Sequence, residues 1–189
     1  MLYILTGKSA SGKDYILKLI KKYNIAKPLI TMTTRPPRDN ETNGIDYYFQ
    51  SKNNFIKMLN GNKFIEHTKY KAYNNGIYEE WYYGTPIQSI DKTIDQVIIL
   101  NPAGLKAMKQ YAKKLNINIK TIYIDTDKSI RTARANLRSN NDPQEWNRRM
   151  ARDDIDFINI EKQVDTVFNN NESICEEIML QKIRNGIVK

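Results

Sequence analysis

The sequence has very little cysteine and histidine, with Cys175 and His67 the only residue of each type among 189. A single cysteine cannot form a disulfide bond within the chain, and a zinc site needs several such side chains at short spacing. Long apolar runs are missing as well: residues 1–5 are too few for the core of a signal peptide. No segment approaches the roughly 20 apolar residues that cross a membrane. We expect a cytoplasmic protein without a membrane anchor or transition-metal chemistry.

The charge is unbalanced in one direction, with 30 lysines and arginines against 21 aspartates and glutamates and a net charge of +9. A basic protein attracts anionic partners, whether nucleic acids, lipids or phosphorylated metabolites. Hydrophobic residues make up 40% of the chain, enough for the core of one domain, which excludes a disordered or fibrous protein. No motif that reads DNA or RNA is present, so we expect no nucleic-acid partner.

Alternating strand and helix patterns predict the core of the fold. Residues 1–6 form an apolar run typical of a buried strand, and residues 13–23 carry apolar side chains at helical spacing. Farther along, β-branched runs at 97–100 and 119–124 flank a helical pattern at 105–115, which predicts a βαβ unit. Such alternation is typical of an α/β fold with a parallel sheet flanked by helices.

The stretch from Thr31 to about Ile94 differs in composition, being rich in tyrosine and in turn residues. Its pattern predicts one short helix near 53–59 and a hairpin around 74–76. We therefore interpret this stretch as a mixed or antiparallel insertion between strands of the parallel sheet.

Towards the C-terminus, Asp142 and Pro143 have the residue types of a helix N-cap and a first helical position, and Glu145 completes a capping box. This pattern predicts a helix from 143 to about 160. A strand at 165–168 and a helix from about 173 complete the expected elements.

Residues 7–14, GKSASGKD, fit the pattern GxxxxGK between the first strand and the first helix. The backbone N–H groups of such a loop surround a phosphate, the helix N-terminus adds partial positive charge, and Lys13 reaches the outer phosphates. The motif predicts a nucleoside triphosphate site. Asp14 stands where a Ser or Thr hydroxyl usually binds Mg²⁺. Its carboxylate is a hard oxygen ligand, so direct metal binding, a contact through water and no metal role all stay open.

A second motif begins at Thr33 with the sequence TTRPPR. It is followed by Glu41, Gly44, Asp46, Tyr47 and Phe49. This pattern resembles the guanylate kinase signature TTRxPRxGExxGxDYxF at nearly every marked position. The resemblance continues in FIE at 64–66, in YYGT at 82–85, and in Arg138 and the pair Arg148–Arg149 at the spacing of the family's lid.

The resemblance implies a single P-loop NTPase-type domain, an α/β fold in which a parallel sheet is flanked by helices. Its core would comprise residues 1–31, 95–125 and 150–189. Residues 32–94 would form an inserted lobe that binds the nucleoside monophosphate, and residues 126–149 would form a helical lid.

The resemblance also implies a reaction, the transfer of the γ-phosphoryl group of ATP to GMP or dGMP with Mg²⁺ accompanying ATP. Lys13, Arg138 and Arg149 would be catalytic because they neutralise charge on the transferred group. The residues that would bind ATP are Gly7, Lys8, Ser9, Ala10, Ser11, Gly12, Lys13 and Asp14. The residues that would bind GMP are Thr31, Arg35, Arg38, Tyr47, Glu66, Tyr83, Thr85 and Asn101.

The chemistry of the acceptor residues agrees with these implied roles. Arg35 and Arg38 are separated by prolines and present planar guanidinium groups suited to a monophosphate, while Tyr47 and Tyr83 add neutral donors. The Glu66 carboxylate can accept hydrogen bonds from both N1–H and the N2 amino group of guanine. Adenine offers no such pair of donors, so a mismatched base would leave the carboxylate unpaired.

Three features depart from the family pattern, the first being Asn40 in place of a usual glycine. Asn101 replaces an acid that is expected to support guanine, and the link between Glu66 and Tyr83 carries an insertion at 70–81. Three hypotheses stay open: a guanylate kinase, a nucleoside monophosphate kinase for another base, and a catalytically inactive module that binds phosphorylated protein partners. The intact phosphate loop and lid arginines favour an enzyme. The sequence leaves the oligomeric state undetermined.

The remaining candidates are four arginines around the lid, His67 and Cys175. The other arginines around the lid are Arg131, Arg134, Arg148 and Arg152. They either contact substrate or form salt bridges with Asp127, Asp153 and Asp154. His67 adjoins Glu66 but lacks a nucleophile partner, so we do not expect acid–base catalysis by it. Cys175 is expected to be a small core residue.

Overall fold

The computed structural model describes residues 1–39, 41–74, 77–137, 142–172 and 174–188. Two sheets and six helices make up these residues. The strands are β1 (Leu2–Thr6), β2 (Lys27–Pro28), β3 (Thr31–Thr33), β4 (Tyr47–Phe49), β5 (Phe64–Asn74), β6 (Ile77–Pro86), β7 (Gln96–Ile99), β8 (Ile119–Asp125) and β9 (Thr166–Asn169). The helices are α1 (Lys13–Lys22), α2 (Lys52–Asn60), α3 (Pro102–Lys114), α4 (Lys128–Asn136), α5 (Pro143–Asp156) and α6 (Glu176–Ile183). Short 3₁₀ turns lie at Ile87–Ser89 and Ile160–Gln163, and a π-helical turn at Arg184–Val188.

The larger sheet is parallel throughout and has the strand order β2-β7-β1-β8-β9. Strand β1 lies at its centre, with Tyr3 opposite Val97 on one side and Lys120 on the other. The apolar run at the start of the sequence is buried along its whole length because both faces of the sheet are covered. The predicted parallel sheet flanked by helices is confirmed.

Alternation along β1 divides the core into two clusters, one on each face of the sheet. Tyr3 and Leu5 pack against helices α1 and α6, whereas Leu2 and Ile4 pack against α3. The first cluster includes Ile16, Leu19, Ile20, Ile122, Ile124, Phe168, Met179 and Ile183. The second includes Leu29, Ile98, Leu105, Met108, Phe157 and Ile160. This packing fixes the carboxyl ends of β1, β7, β8 and β9 at one edge.

The smaller sheet is mixed and has the strand order β4-β3-β6-β5. Strands β3 and β4 are parallel, while β3–β6 and β5–β6 are antiparallel. Helix α2 closes one face of this sheet, where Phe55 is fully buried and stacks on Phe64 with ring centroids 4.4 Å apart. Asn74 pairs with Ile77, and the two residues between them in the predicted hairpin turn lie outside the described part of the chain.

Several predicted ends in the C-terminal third differ from the structure. Helix α5 ends at Asp156 instead of continuing to about 160, and α6 begins at Glu176. Asp142 does cap α5, accepting a hydrogen bond from the amide of Gln144 at 2.9 Å. Glu145 instead directs both carboxylate oxygens to Arg148 and Arg149 in the next turn.

The prediction that Cys175 is a core residue is wrong. Cys175 is exposed at the N-cap position of α6, where the chain turns into the helix. Met179 and Ile183 supply the buried side of α6 and pack with Ile187 against the sheet. Among the helices that the structure describes, none is long and apolar enough to cross a membrane.

Candidate functional site

The phosphate loop follows β1 and ends where α1 begins. Gly12 caps α1 with φ of 95°, and Ala10 also has a positive φ, 59°, a conformation that side chains with a Cβ rarely adopt. Gly7 permits a close approach, because a Cβ there would lie 2.7 Å from the Ser11 hydroxyl and 2.8 Å from the carbonyl of Ile124. The loop backbone is therefore curled at the carboxyl edge of the sheet, the place where parallel α/β sheets bind ligands.

Lys13 folds over the loop. Its ammonium group donates to the carbonyls of Gly7 at 2.7 Å and Lys8 at 2.8 Å, and lies 3.5 Å from the Ser11 hydroxyl. The positive charge is thus held above the concave side of the loop. Asp14 follows in the first turn of α1 and is exposed.

One carbonyl of the loop accepts hydrogen bonds from three separate segments. The carbonyl oxygen of Ser11 receives the Asn170 amide at 2.8 Å, the Thr126 hydroxyl at 3.0 Å and the Arg134 guanidinium at 3.3 Å. Thr126 follows β8, and Asn170 follows β9. These donors fix the Ser11 peptide plane, and with it the direction of the Gly12 N–H group.

Helix α5 contacts the other end of the loop. The Ser9 amide donates to the Asp153 carboxylate at 2.7 Å, and the Lys8 ammonium lies 3.2 Å from Asp154. Arg131 is 3% exposed and places its guanidinium 3.6 Å from the same Asp153 carboxylate. The loop is therefore packed between the sheet edge and helix α5.

The acceptor arginine motif forms a second basic site, on the smaller sheet. Arg35 is buried and donates to Glu41 at 2.8 Å and to the carbonyl of Pro36 at 2.7 Å. Its guanidinium carbon lies 5.5 Å from the ring centroid of Tyr47, and Arg35 also interacts electrostatically with Tyr83. The structure thus brings together Arg35, Tyr47 and Tyr83, three of the side chains expected at the monophosphate.

Arg38 and Thr31 flank this cluster. The Arg38 amide donates to Glu41 at 2.9 Å while its side chain is exposed, and Thr31 begins β3 opposite Tyr47. Glu41 therefore orients the arginine segment from both ends, through the Arg35 side chain and the Arg38 backbone.

The two basic sites lie within electrostatic range of each other. The pKa of Tyr47 is above its ordinary value mainly because the side chain is buried, and interactions with Tyr83, Glu41 and Asp14 raise it further while Arg35 lowers it. Asp14 belongs to the phosphate loop and Tyr47 to the smaller sheet. Their electrostatic interaction indicates that the loop and the arginine motif lie near each other.

Glu66 occupies the far end of the acceptor cluster. Its carboxylate accepts the Thr85 hydroxyl at 2.5 Å, and burial raises its pKa. A Cβ on Gly104 would lie 3.3 Å from the second Glu66 oxygen and equally close to the Asn101 side-chain oxygen. Glu66, Thr85 and Asn101 therefore lie close together, and their role in binding the base stays a prediction.

Asn101 has a structural bond of its own. Its side-chain oxygen accepts from the amide of Gly104 at 2.8 Å, which caps α3, and its amide nitrogen donates to the Tyr70 hydroxyl at 3.3 Å. The oxygen that would resemble the family's acid is thus occupied by the helix.

The lid arginines are placed only in part. Arg138 lies outside the described residues. Arg149 is half exposed and donates to Glu145 at 2.8 Å, and these bonds with Arg148 and Arg149 lower the pKa of Glu145 to about 2. Arg149 precedes Asp153 by four residues on α5, so both lie on one helix face, beside the phosphate loop.

The four arginines left open by the sequence divide into two groups. Arg131, Arg148 and Arg152 form ion pairs with Asp153, Glu145 and Asp156. Arg134 donates to the carbonyls of Ser11 and Asn170.

Sequence reasoning missed Thr126, Asn170 and Tyr70. The first two are polar residues directly after parallel strands, a position that signals the ligand-binding edge of such a sheet. His67 is exposed on β5 and stays without an assigned role.

A phosphate loop at the edge of a parallel sheet and an arginine–tyrosine site on an inserted sheet define the class of P-loop nucleoside monophosphate kinases. The family model described as guanylate kinase matches residues 1–183. The chain therefore belongs to the guanylate kinase family, and the resemblance seen in its motifs is confirmed.

Curated relatives support this membership. The guanylate kinase of Rickettsia bellii (strain RML369-C) is 33% identical over 129 residues, which cover 66% of this chain and 61% of that protein. The match thus spans less than two thirds of the Rickettsia protein. The guanylate kinase of Wigglesworthia glossinidia brevipalpis is 29% identical over 198 residues, which cover 99% of this chain and 90% of that protein.

The fold is shared with a solved structure. The crystal structure of guanylate kinase from Anaplasma phagocytophilum superposes with a TM-score of 0.59 at 19% sequence identity. The superposition covers 98% of this chain and 82% of that one. At this identity the similarity shows that the two chains have the same fold.

Proposed function

We propose that this chain transfers the γ-phosphoryl group of ATP to GMP or dGMP. The observation that carries the proposal is the position of Glu66, a largely buried carboxylate at one end of the acceptor cluster, beside the Thr85 hydroxyl. Guanine presents two adjacent donors to such a carboxylate. Binding them would compensate the cost of burying the charge, which an adenine or a pyrimidine with a different edge would not do.

On the donor side, the curled loop of residues 7–14 would hold the ATP phosphates through its backbone N–H groups. Lys13 would exchange the loop carbonyls for the outer phosphates. Arg149, with Arg138, would exchange Glu145 for the transferred group when the lid closes. The position of Arg149 one turn before Asp153, which touches the loop, supports this role.

Mg²⁺ would arrive with ATP. Magnesium sites in such enzymes consist of one or two protein oxygens and the substrate phosphates, with water completing the shell. The exposed Asp14 carboxylate beside Lys13 fits the single protein ligand of such a site. When bound, the ion would neutralise charge on the phosphates.

On the acceptor side, Arg35, Arg38, Tyr47 and Tyr83 would bind the monophosphate, and Glu66 with Thr31, Thr85 and Asn101 would surround the base. The attacking oxygen already belongs to an anionic phosphate, so the reaction needs no general base. Catalysis would come from holding the two phosphates in line and from neutralising the charge on the transferred group.

We also propose which segments of the chain form the core, the acceptor lobe and the lid. Residues 1–31, 95–125 and 150–189 would form the core, residues 32–94 the acceptor lobe, and residues 126–149 the lid that excludes water.

ATP and GMP are metabolites of the cytoplasm, and we place the reaction there. Fractionation of cells that produce the protein tests this location.

The test is a coupled assay with MgATP and a panel of GMP, dGMP, AMP, CMP, UMP and dTMP. We expect turnover with GMP or dGMP, and a fall of roughly 100-fold or more in kcat for Lys13→Ala, because the lysine acts on charge that grows in the transition state. Lys18→Ala, an exposed lysine of the same helix, is the matched control. Turnover of another base would overturn the specificity, and turnover insensitive to Lys13 would overturn the mechanism.

A further inference from the structure

The β5–β6 hairpin has one continuous face that carries the expected acceptor residues Glu66, Tyr83 and Thr85. Residues two apart on a strand share a face, and directly opposed residues of paired strands share it as well. Glu66 pairs with Thr85, Thr68 with Tyr83, and Tyr70 with Trp81. The face that carries the expected acceptor residues therefore continues by one pair into the insertion, at Tyr70 and Trp81.

Tyr70 lies between the two ends of the acceptor cluster. Its hydroxyl is 3.3 Å from the amide nitrogen of Asn101, which adjoins Glu66 at the base end. Its ring meets the ring of Tyr83, at the phosphate end, edge to face with centroids 5.7 Å apart. In a nucleotide that spans both ends, the sugar lies between base and phosphate. Tyr70 is therefore placed at the level of the sugar.

The orientation of the Tyr70 hydroxyl is set by Asn101. The Asn101 oxygen accepts from the Gly104 amide, so its amide nitrogen is the atom that faces Tyr70. The tyrosine oxygen consequently acts as acceptor in this bond and retains its own proton to donate. Arg148 interacts electrostatically with Tyr70, but a guanidinium has no acceptor for that proton.

Tyr70 is also accessible to a ligand. Its side chain is 45% exposed although it belongs to a large aromatic residue packed between Tyr83 and Asn101. A sugar hydroxyl offers the oxygen acceptor that the Tyr70 proton needs. The position, the orientation and the remaining donor all point to the same part of the substrate.

We propose that Tyr70 is a specificity-determining residue that donates its hydroxyl proton to a ribose hydroxyl of the acceptor nucleotide. This inference rests on the proposed function, because it needs GMP in the cleft. It assigns a role to the insertion at 70–81, whose first residue pair extends the acceptor face.

The test compares Tyr70→Phe with the wild type on GMP, 2′-deoxy-GMP and 3′-deoxy-GMP. Tyr48→Phe is the matched control, because Tyr48 is exposed on β4, at the opposite edge of the same sheet from β5, and lies on the other face of its strand from Tyr47. We expect Tyr70→Phe to lower kcat/KM for GMP by roughly three- to tenfold, the range of one neutral hydrogen bond. The loss should vanish with the analogue that lacks the contacted hydroxyl, and KM for ATP should not change.

The inference is overturned if Tyr70→Phe reduces kcat/KM equally for the three nucleotides, or not at all. Calorimetric binding of the same nucleotides repeats the comparison without turnover. Binding that depends on Tyr70 in an enzyme with no turnover would overturn only the proposed reaction. Turnover with no dependence on Tyr70 would overturn only this inference, and failure of the wild type to bind GMP would overturn both.

Discussion

At Glu66, a side chain expected to bind the substrate lowers the stability of the free protein. Its carboxylate is largely buried, and burial raises its pKa. The charged form is therefore less stable in the folded protein than in water. The single Thr85 hydroxyl compensates this cost only partly. Guanine would supply two further hydrogen-bond donors to the Glu66 carboxylate.

Glu66→Gln should therefore stabilise the free protein and abolish guanine recognition. The folded pKa lies above the unfolded value, so the unfavourable contribution is absent below the ordinary glutamate pKa and fully present above the folded one. We expect the variant to gain stability at neutral pH in urea unfolding, and to show no gain at about pH 3. Lower stability at neutral pH would contradict the assignment.

The same titration predicts how GMP binding depends on pH. Only the charged carboxylate accepts both guanine donors, so KM for GMP should rise as pH falls through the raised pKa of Glu66. The rise should begin at a higher pH than an ordinary glutamate would give. In Glu66→Gln this pH dependence should disappear, with KM for GMP at every pH roughly 100-fold above the wild-type value at neutral pH. KM for ATP measured in parallel is the control.

At the scale of elements, helix α5 and the phosphate loop form a single packed unit. Asp153 binds the Ser9 amide and faces the buried Arg131, while its neighbour Asp154 reaches the exposed end of Lys8. The two adjacent carboxylates thus join the same elements in very different surroundings. A buried charge that loses its partner is far more costly than an exposed one.

Asp153→Asn should destabilise the protein by about 3 kcal/mol, because it leaves the Arg131 guanidinium buried without its counter-charge. Asp154→Asn, which changes the same charge one residue away, should cost less than about 1 kcal/mol. Urea unfolding of both variants measures the difference. Equal effects of the two substitutions would show that burial of the Arg131–Asp153 pair is not what joins the elements.

The helices and strands were largely predictable from the sequence, whereas the hydrogen-bond partners and exposure of individual side chains were not. Apolar runs give the strands of the parallel sheet, because a buried strand must be apolar on both faces. A glutamate at position 145 could complete a capping box or form an ion pair. The structure shows that its carboxylate binds Arg148 and Arg149. Cys175 has the character of a core residue, yet its place at the start of α6 exposes it.

The site was predictable where a motif fixes it and unpredictable where distant segments meet. The spacing within GxxxxGK already places Lys13 over the loop. Asn170 meets the loop only because β9 lies at the end of the sheet, and Tyr70 meets Asn101 only because α3 packs against β5. Such contacts depend on strand order and on the packing of distant elements, which local patterns do not contain.

At the scale of the whole molecule, each of the two sheets carries one of the positively charged sites. Arg35 approaches from the smaller sheet and Lys13 from the larger, in a chain with a net charge of +9. Anionic nucleotides should be attracted from a distance before any specific contact forms. Such long-range attraction is weakened by salt, because the screening length falls as ions are added.

Raising NaCl from about 20 to about 500 mM should therefore lower kcat/KM for GMP several-fold while leaving kcat nearly unchanged. Steady-state assays across this range measure the effect. The same series with sucrose at matched osmolality is the control, since sucrose does not screen charge. A parallel fall in kcat would show that salt acts on the enzyme–substrate complex and not on the association of GMP with the enzyme.

The Ser11 carbonyl, bound by Thr126, Arg134 and Asn170, has a consequence for the order of events during synthesis. The loop itself is complete once residue 14 has left the ribosome, but its last anchor is 156 positions farther along the chain. A nascent chain that stops before β9 carries the motif without its fixed geometry. ATP affinity should thus emerge late in translation, together with the closing strand of the sheet.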